Sequence, residues 1–225
     1  MGLVPTFRII MTKLYQVLDY LPELPDEFVQ EAIRVWKDPN KKRVQRGKVN
    51  EYTPHDSIGN QRWPNETTIK RGDEQIEHRT NYRYELSEDF HQWVRDNIAK
   101  EFMDIGVSIN GYNGTSSNLT MPHTDFSRDY TLMYVLDPGG PDVRTIYWKE
   151  KGCDLRRPNW HYPSSYDDLE YVDHVVIQTR RWTLLNARVI HSIENLESTR
   201  LSLQVAFHNS HPWVTGAKND WITPN

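Results

Sequence analysis

Three side chains of the metal-ligand type stand out in the second half of the chain. His123 and Asp125 are separated by one residue, and His191 follows in a later segment. Two imidazoles and one carboxylate form a facial triad, which is typical of non-haem Fe(II) and leaves the other positions of the octahedron open. Residues i and i+2 of a strand share a face, so His123 and Asp125 can reach one cation from one strand edge. The sequence therefore predicts a metal site formed by His123, Asp125 and His191.

The segment after His191 makes this pattern more specific. By itself, a His-x-Asp pair is common by chance, and a lone histidine is more often structural than metal-binding. After His191 the chain has a stretch that can turn, and then Arg200 and Ser202 open a strongly alternating strand. A planar guanidinium is a natural partner for a carboxylate. We therefore expect Arg200 on the strand next to that of His191, with its guanidinium beyond the metal and beside the Ser202 hydroxyl.

Two predicted helices precede these residues. The first covers residues 24–37, and Pro25 and Asp26 mark its start. The second covers residues 88–103, because Ser87 is a good N-cap and apolar residues recur at i, i+3 and i+4. The polar stretch 41–84 between them has weak periodicity, which indicates loops and short edge strands.

Alternating hydrophobicity begins after Gly106 and predicts a mainly β second half. Two helices followed by seven or eight short strands favour a β-sandwich or jelly roll with supporting helices. We expect one domain over residues 1–225, with helical and loop support over 1–106, the core over 107–210, and a C-terminal tail over 211–225. The polar segment 149–173 is predicted as a long loop that acts as a lid. The predicted strands are residues 107–112, 131–136, 144–148, 174–178, 182–185, 189–193 and 200–208.

The residues quoted above resemble those of the 2-oxoglutarate/Fe(II)-dependent dioxygenase superfamily. That family combines a His-x-Asp/Glu pair, a distal histidine and a later basic residue, and this order fits His123, Asp125, His191 and Arg200. The resemblance covers roughly residues 107–207, and its short motifs are specific only because they occur together. It implies a mainly β fold, a double-stranded β-helix (jelly roll, cupin-like) with supporting helices.

The resemblance also implies a set of cofactors and co-substrates. Fe(II) would be the metal, 2-oxoglutarate and O2 the co-substrates, and ascorbate an optional reductant. Arg200 and Ser202 are similar to the pair that grips the far carboxylate of 2-oxoglutarate in several branches, and Asn110 and Tyr112 resemble an Asn-x-Tyr pair near the same co-substrate. An aspartate at position 125 argues against the halogenase variant. The implied reaction is hydroxylation with release of succinate and CO2, with no catalytic residue beyond the metal ligands.

Four further residues are candidates with a structural alternative for each. Tyr134 is a candidate for a hydrogen bond to the co-substrate carboxylate, and a core tyrosine with a satisfied hydroxyl is the alternative. Arg128 is a candidate for an anionic substrate group, and a solvated surface charge is the alternative. Trp148 and Trp182 are candidates for pocket walls, although tryptophan is more often simply part of a core.

Composition limits the classes of partner. The formal net charge of -4 and the pI of about 6.1 disfavour a nucleic-acid substrate, so a small molecule, a protein or a peptide is expected. The single cysteine, Cys153, suits a reducing cytoplasm. No apolar run approaches the ~20 residues needed to cross a bilayer, and residues 1–10 are too mixed for a signal peptide, with Met11 as an alternative start. The oligomeric state is not predicted.

Two other functions compete with the oxygenase at this point. One is a non-catalytic jelly-roll module whose polar strand faces bind a sugar or a small acid. The other is a metal-dependent hydrolase or cupin-type metalloenzyme that uses the same triad without 2-oxoglutarate. Neither of them requires Arg200 and Ser202 behind the distal histidine, which is why the oxygenase is preferred.

Overall fold

The structure, a computed structural model, describes residues 13–42, 68–77, 82–102, 104–110, 119–125, 128–157 and 161–207. Two helices and twelve strands lie in these ranges. No helix there is long and apolar enough to cross a bilayer. The elements in chain order are β1 (Tyr15–Val17), α1 (Asp26–Lys37), β2 (Thr68–Arg71), β3 (Glu74–Glu77), β4 (Tyr82–Tyr84), α2 (Glu88–Asn97), β5 (Asp104–Asn110), β6 (Thr120–His123), β7 (Tyr130–Asp137), β8 (Arg144–Glu150), β9 (Leu169–Val175), β10 (Trp182–Asn186), β11 (Ile190–Glu194) and β12 (Arg200–Phe207).

Ten of the twelve strands form two antiparallel sheets that face each other. The larger sheet has the order β1-β10-β7-β12-β5-β4, and the smaller has the order β6-β11-β8-β9. The chain alternates between the sheets, since β5, β7, β10 and β12 belong to the larger one and β6, β8, β9 and β11 to the smaller one. This strand order is that of a double-stranded β-helix, so the predicted jelly-roll fold is confirmed.

The two helices cover the outer face of the larger sheet. Val29 of α1 and Phe90 and Val94 of α2 pack against the apolar side of β12, which carries Leu203 and Val205. Helix α2 begins where the sequence predicts, because the Ser87 side chain accepts a hydrogen bond from the Phe90 N–H at 3.2 Å. The helices therefore fix which face of β12 is left to point between the sheets.

A second core lies between the sheets and carries the polar side chains. All eight residues of β12 are buried, including Arg200, Ser202 and Gln204 on the face that points away from the helices. The polar face of β12 therefore points into the space between the two sheets and not into water. Apolar residues from both sheets close the rest of this space, and they are Met133, Val135, Val175, Leu185 and Val189.

Several predicted boundaries are wrong. Helix α2 ends at Asn97 and not at residue 103, because the Asn97 side chain donates to the Trp93 carbonyl while the Ile98 and Ala99 N–H groups both bond to the Val94 carbonyl. The predicted strand 174–178 is β9, which starts earlier and ends at Val175.

The segment 149–173 is not one continuous loop. Its first residues finish β8 and its last ones form most of β9, whose exposed edge carries Glu170 and Tyr171. Polar residues on an edge strand hide the alternation that marks a buried strand, which explains this error. The lid function of the remaining residues stays a prediction. The predicted tail 211–225 and residues 1–12 lie outside the described residues.

Candidate metal centre

The three predicted metal ligands come together in the structure. His123 is the last residue of β6 and pairs directly with His191 on β11, so the two imidazoles lie side by side with ring centroids 4.8 Å apart. Asp125 follows the end of β6, where its N–H donates to the Ala187 carbonyl at 2.9 Å. One ligand atom from each residue lies within 4.8 Å of the others. Three donors at this separation, two nitrogens and one oxygen, fit a single divalent cation.

Backbone contacts fix the orientation of both imidazoles. His123 Nδ1 lies 2.7 Å from the Met121 carbonyl, and His191 Nδ1 lies 2.9 Å from the Val189 carbonyl. A carbonyl only accepts, so each Nδ1 carries the proton and donates it. Each Nε2 then offers a lone pair to a metal ion, as in most metal-binding histidines.

The electrostatics keep this donor set in the form that binds metal. Burial, with a further contribution from the neighbouring His123, lowers the pKa of His191 from 6.5 to about 4. Burial raises the pKa of Asp125, but the Arg128 guanidinium and the two histidines outweigh it, so the pKa lies well below its usual value. At neutral pH the cluster therefore has a neutral His191 and an ionised Asp125.

Arg128 contacts a metal ligand and not an open binding surface. Its Nε lies 2.5 Å from Asp125 Oδ2, and its Nη1 donates to Gln204 Oε1 at 3.0 Å. The side chain is 14% exposed, so it is not a solvated surface charge. The alternative of a solvated surface charge is therefore wrong, and the candidate role toward an anionic substrate group stays a prediction.

Arg200 lies across the cavity from the triad, on the opposite sheet. The expectation that it is on the strand next to that of His191 is wrong, because β12 pairs with β5 and β7 while β11 pairs with β6 and β8. The turn at Gly139 holds the connection between β11 and β12: the Gly139 carbonyl accepts from the N–H groups of Glu197 and Ser198, both at 2.8 Å. This connection carries the chain from one sheet to the other.

The strand register shows how far the Arg200 guanidinium lies from the metal ligands, measured along the strands. Its Nη1 lies 3.5 Å from Thr145 Oγ1 on β8. Thr145 is two residues before Tyr147, and Tyr147 pairs with His191. Two residues of strand correspond to roughly 7 Å, so the guanidinium lies about that far below the level of the metal ligands.

The Arg200 guanidinium has no carboxylate partner among the described residues. It is 2% exposed, its Nη2 contacts the Met133 sulfur at 3.2 Å, and its Nε has no hydrogen-bond acceptor. Burial lowers its pKa from 12.5 to about 10, so it stays charged at neutral pH. A buried cation without an anion is costly unless a ligand supplies one.

Two further buried hydroxyls also lack a partner. The Ser202 Oγ and the Tyr147 hydroxyl are both buried without a hydrogen bond. Ser202 was predicted from the sequence, but Tyr147 was not, because its position opposite His191 depends on the pairing of β8 with β11. The alternation of residues 144–148 put Tyr147 on one face of a strand, but it did not identify the strand beside it. Burial raises the pKa of Tyr147 well above 10, so the hydroxyl stays protonated and can donate.

Three predicted site residues face away from this cavity. The Tyr134 hydroxyl accepts from the Leu24 N–H at 3.3 Å, and Trp182 donates to the Pro22 carbonyl at 2.9 Å, so both lie in the core beneath the helices. Trp148 lies on the outer face of the smaller sheet, where its indole donates to Ser192 at 2.9 Å. Each of these three residues is next in sequence to a residue whose side chain points between the sheets. Neighbouring residues of a strand point to opposite faces, so an error of one position reverses the predicted face.

The Asn-x-Tyr pair is only partly described. Asn110 pairs in register with Arg200 across β5 and β12, and its contact with the co-substrate stays a prediction. Tyr112 lies outside the described residues.

One part of the predicted lid segment touches the metal ligands. His161 and Thr124 exchange two hydrogen bonds, one at 2.8 Å from the His161 N–H to Thr124 Oγ1 and one at 3.0 Å from the Thr124 N–H to the His161 carbonyl. The Tyr162 ring stacks on His123 with a centroid distance of 5.8 Å. The position of residues 161–162 is therefore tied to that of the His-x-Asp pair.

Comparisons with known proteins give weak matches. No family model matches the chain, and no curated protein of similar sequence was found. A solved oxidoreductase of the 2OG-Fe(II) oxygenase family from Burkholderia pseudomallei is 8% identical, covers 62% of this chain and 70% of its own, and has a TM-score of 0.37. The epimerase SnoN, solved with Fe3+, alpha ketoglutarate and nogalamycin RO, is 13% identical over 88% of this chain and 80% of its own, with a TM-score of 0.46. A dTDP-4-dehydrorhamnose 3,5-epimerase from Elizabethkingia anophelis NUHP1 is 15% identical over 64% and 75%, with a TM-score of 0.28.

The strand order, and not these matches, assigns the fold. This chain is a jelly-roll protein with a His-Asp-His cluster suited to a metal ion, and a buried, unpaired guanidinium lies across the same cavity.

Proposed function

We propose that this protein is an Fe(II)- and 2-oxoglutarate-dependent oxygenase. The observation that carries the proposal is the uncompensated Arg200 guanidinium, which lies about one strand repeat below His123 and His191. A metal site alone does not need a buried cation at that depth. A short dicarboxylate that binds the metal at one end and Arg200 at the other accounts for both features.

The metal ion binds at one end of the space between the sheets, and the far carboxylate of 2-oxoglutarate binds at the other end. His123 and His191 offer Nε2 lone pairs to Fe(II), and Asp125 adds one negative charge. At the other end, Arg200 and the Ser202 hydroxyl bind the far carboxylate of 2-oxoglutarate, and the Tyr147 hydroxyl, at the level of His191, donates to the co-substrate nearer the metal. Charge-assisted hydrogen bonds of this kind are stronger than neutral ones, and a guanidinium grips a carboxylate with two parallel bonds.

The surrounding side chains exclude water from this pocket. Met133, Val135 and Val189 are buried between the sheets beside the polar residues. When bound, Fe(II) and 2-oxoglutarate supply the activation of O2, with oxidative decarboxylation to succinate and CO2 and oxidation of the substrate. We expect hydroxylation of a small molecule, a protein or a peptide.

The test compares metal binding, 2-oxoglutarate binding and succinate formation in one set of variants. Wild-type protein is stripped with a chelator and reloaded with Fe(II) under nitrogen, and 2-oxoglutarate binding is then measured by calorimetry. Succinate is quantified after O2 is admitted. We expect His191→Ala to lose Fe(II) and succinate formation. We expect Arg200→Gln to retain Fe(II) but to bind 2-oxoglutarate at least ~30-fold more weakly, since truncating one side of a buried charge pair costs about 2–5 kcal/mol.

The matched control is Arg95→Gln on the surface of α2, where Arg95 pairs with Glu88 at 2.7 Å and is 38% exposed. This variant is expected to behave like the wild type in all three measurements. Ligand binding without metal would favour the binding-module alternative. Metal binding and turnover that are insensitive to Arg200→Gln would favour a metalloenzyme that does not use 2-oxoglutarate.

A further inference from the structure

The two carboxylate oxygens of Asp125 have different surroundings. Oδ1 lies 3.7 Å from His123 Nε2, on the side where the metal ligands converge. Oδ2 accepts from Arg128 Nε at 2.5 Å, on the other side of the carboxylate. Only Oδ1 therefore faces the place that a metal ion would occupy.

The guanidinium that holds Oδ2 is itself anchored to the opposite sheet. Arg128 Nη1 donates to Gln204 Oε1 at 3.0 Å, and Gln204 is a buried residue of β12. Arg128 and Asp125 are 14% and 13% exposed, so water competes little with this pair. To turn Oδ2 toward the metal, the carboxylate would have to break a buried charge-assisted hydrogen bond.

We propose that Arg128 is a positioning residue that makes Asp125 a one-oxygen ligand and so keeps three coordination positions open. This inference rests on the proposed function, because it presupposes a metal ion at the triad. An octahedral ion has six positions, and two imidazoles plus one oxygen leave three of them. A chelating 2-oxoglutarate needs two and O2 needs one. Carboxylates also bind metals through both oxygens, and a two-oxygen Asp125 would take the position required for O2.

The charge of Arg128 separates this role from that of an ordinary supporting contact. In the metal-free protein the charge of Arg128 helps to keep Asp125 ionised, but a bound metal ion does this by itself, and in the loaded site the guanidinium repels the ion and draws electron density from the carboxylate. Removing it frees a second donor oxygen and removes a repulsion. The proposal therefore predicts that metal affinity is retained or rises while the number of open positions falls. Loss of an ordinary supporting contact typically weakens metal affinity 10–100-fold.

Mn(II) gives a direct measure of open positions, since the relaxation of water protons scales with the number of waters on the ion. Mn(II) is added to wild-type protein, Arg128→Leu, Arg128→Lys and Gln204→Leu, and the relaxation rate per bound ion is compared. We expect Arg128→Leu to lose about one third of the wild-type value, because two waters remain where there were three. Lysine can still donate to Oδ2, so Arg128→Lys should restore the wild-type value.

Addition of 2-oxoglutarate gives a second comparison of the number of waters bound to Mn(II). Two waters should leave the ion in each protein, so the wild type keeps one and Arg128→Leu keeps almost none. Gln204→Leu retains the guanidinium but loses its anchor, and it should fall between the wild type and Arg128→Leu. It also keeps the test informative if Arg128→Leu does not fold, which thermal unfolding will show.

Two results would overturn the inference while leaving the proposed function intact. One is an unchanged water count in both Arg128→Leu and Gln204→Leu with Mn(II) bound. The other is a 10–100-fold loss of Mn(II) affinity with the wild-type water count, which would make Arg128 an ordinary supporting contact. If the wild type bound no Mn(II), and His191→Ala changed nothing, the inference and the proposed function would both be wrong.

Discussion

Replacement of Arg200 by methionine should make the ligand-free protein more stable. Burial lowers the pKa of Arg200 from 12.5 to about 10. At ~1.4 kcal/mol per pKa unit, this corresponds to a penalty of about 3 kcal/mol for the buried charge. The contacts with Thr145 and Met133 offset little of it, because one is long and the other is to a sulfur. Methionine is flexible and of similar length, so it can fill the same space.

The expected gain for Arg200→Met is about 1–3 kcal/mol, which corresponds to a rise in Tm of roughly 2–12 °C for a chain of this size. The assay is thermal and urea unfolding of chelator-treated protein, with and without 2-oxoglutarate after metal is restored. The ligand at 100 times its Kd should stabilise the wild type by about 2.7 kcal/mol. It should not stabilise Arg200→Met, which lacks the group that binds the far carboxylate.

Arg188→Met is the matched control with the opposite expected sign. Arg188 is also largely buried, but its Nε donates to Asp129 Oδ1 at 2.8 Å and its Nη1 to the Asp125 carbonyl at 3.2 Å. Its loss breaks a buried pair and should cost about 2–5 kcal/mol. If Arg200→Met destabilised the ligand-free protein as Arg188→Met does, Arg200 would be a structural residue with a partner of its own, and the expected gain would be wrong.

Three further predictions concern stability and pH. The pKa of His191 falls from 6.5 in the unfolded chain to about 4 in the folded one, so between these values the unfolded state binds one more proton and the free energy of unfolding falls as the pH falls. His191→Gln removes this group and should reduce the pH dependence of the metal-free protein by up to about 1.4 kcal/mol per pH unit. Urea unfolding from pH 4 to 7 measures the difference. Tyr147→Phe removes a buried hydroxyl without a partner, so melting should show the ligand-free protein about 1–2 kcal/mol more stable, and calorimetry should show 2-oxoglutarate bound roughly 3–10-fold more weakly. Ser87→Ala removes the cap of α2 and the hydroxyl that donates to Glu31 at 2.8 Å, so urea unfolding should show a loss of about 1 kcal/mol without a change in metal binding.

The sequence predicted the parts of the site that depend on residue type and short spacing. His123, Asp125 and His191 meet because His123, the last residue of β6, pairs directly with His191, and Asp125 follows two residues later. The strand from Arg200 was also predictable, since its apolar residues alternate without a break and pack beneath the helices as expected. Local alternation fixes the face of a side chain once one face is known to be buried.

What the sequence did not predict depends on strand partners. Alternation does not say to which sheet a strand belongs, so Arg200 was expected beside His191 instead of across the cavity from it. The same lack of information about the sheets explains why Tyr134 and Trp148 were predicted at the site. Both belong to correctly predicted strands, but their side chains point to the outer faces. This lack of information also explains why Tyr147 was missed, because only its pairing with His191 brings it to the site.

The arrangement of the site across two sheets has an energetic consequence for how its ligands bind. The smaller sheet carries two imidazole lone pairs, which need a cation, and the larger sheet carries the Arg200 cation, which needs an anion. A divalent metal ion alone would add two positive charges to a buried space that already holds this guanidinium, and a dicarboxylate alone would leave its metal-binding end without a partner. Together they add no net charge. Since charges interact strongly away from water, each ligand should favour the binding of the other, and by linkage the effect must be equal in both directions.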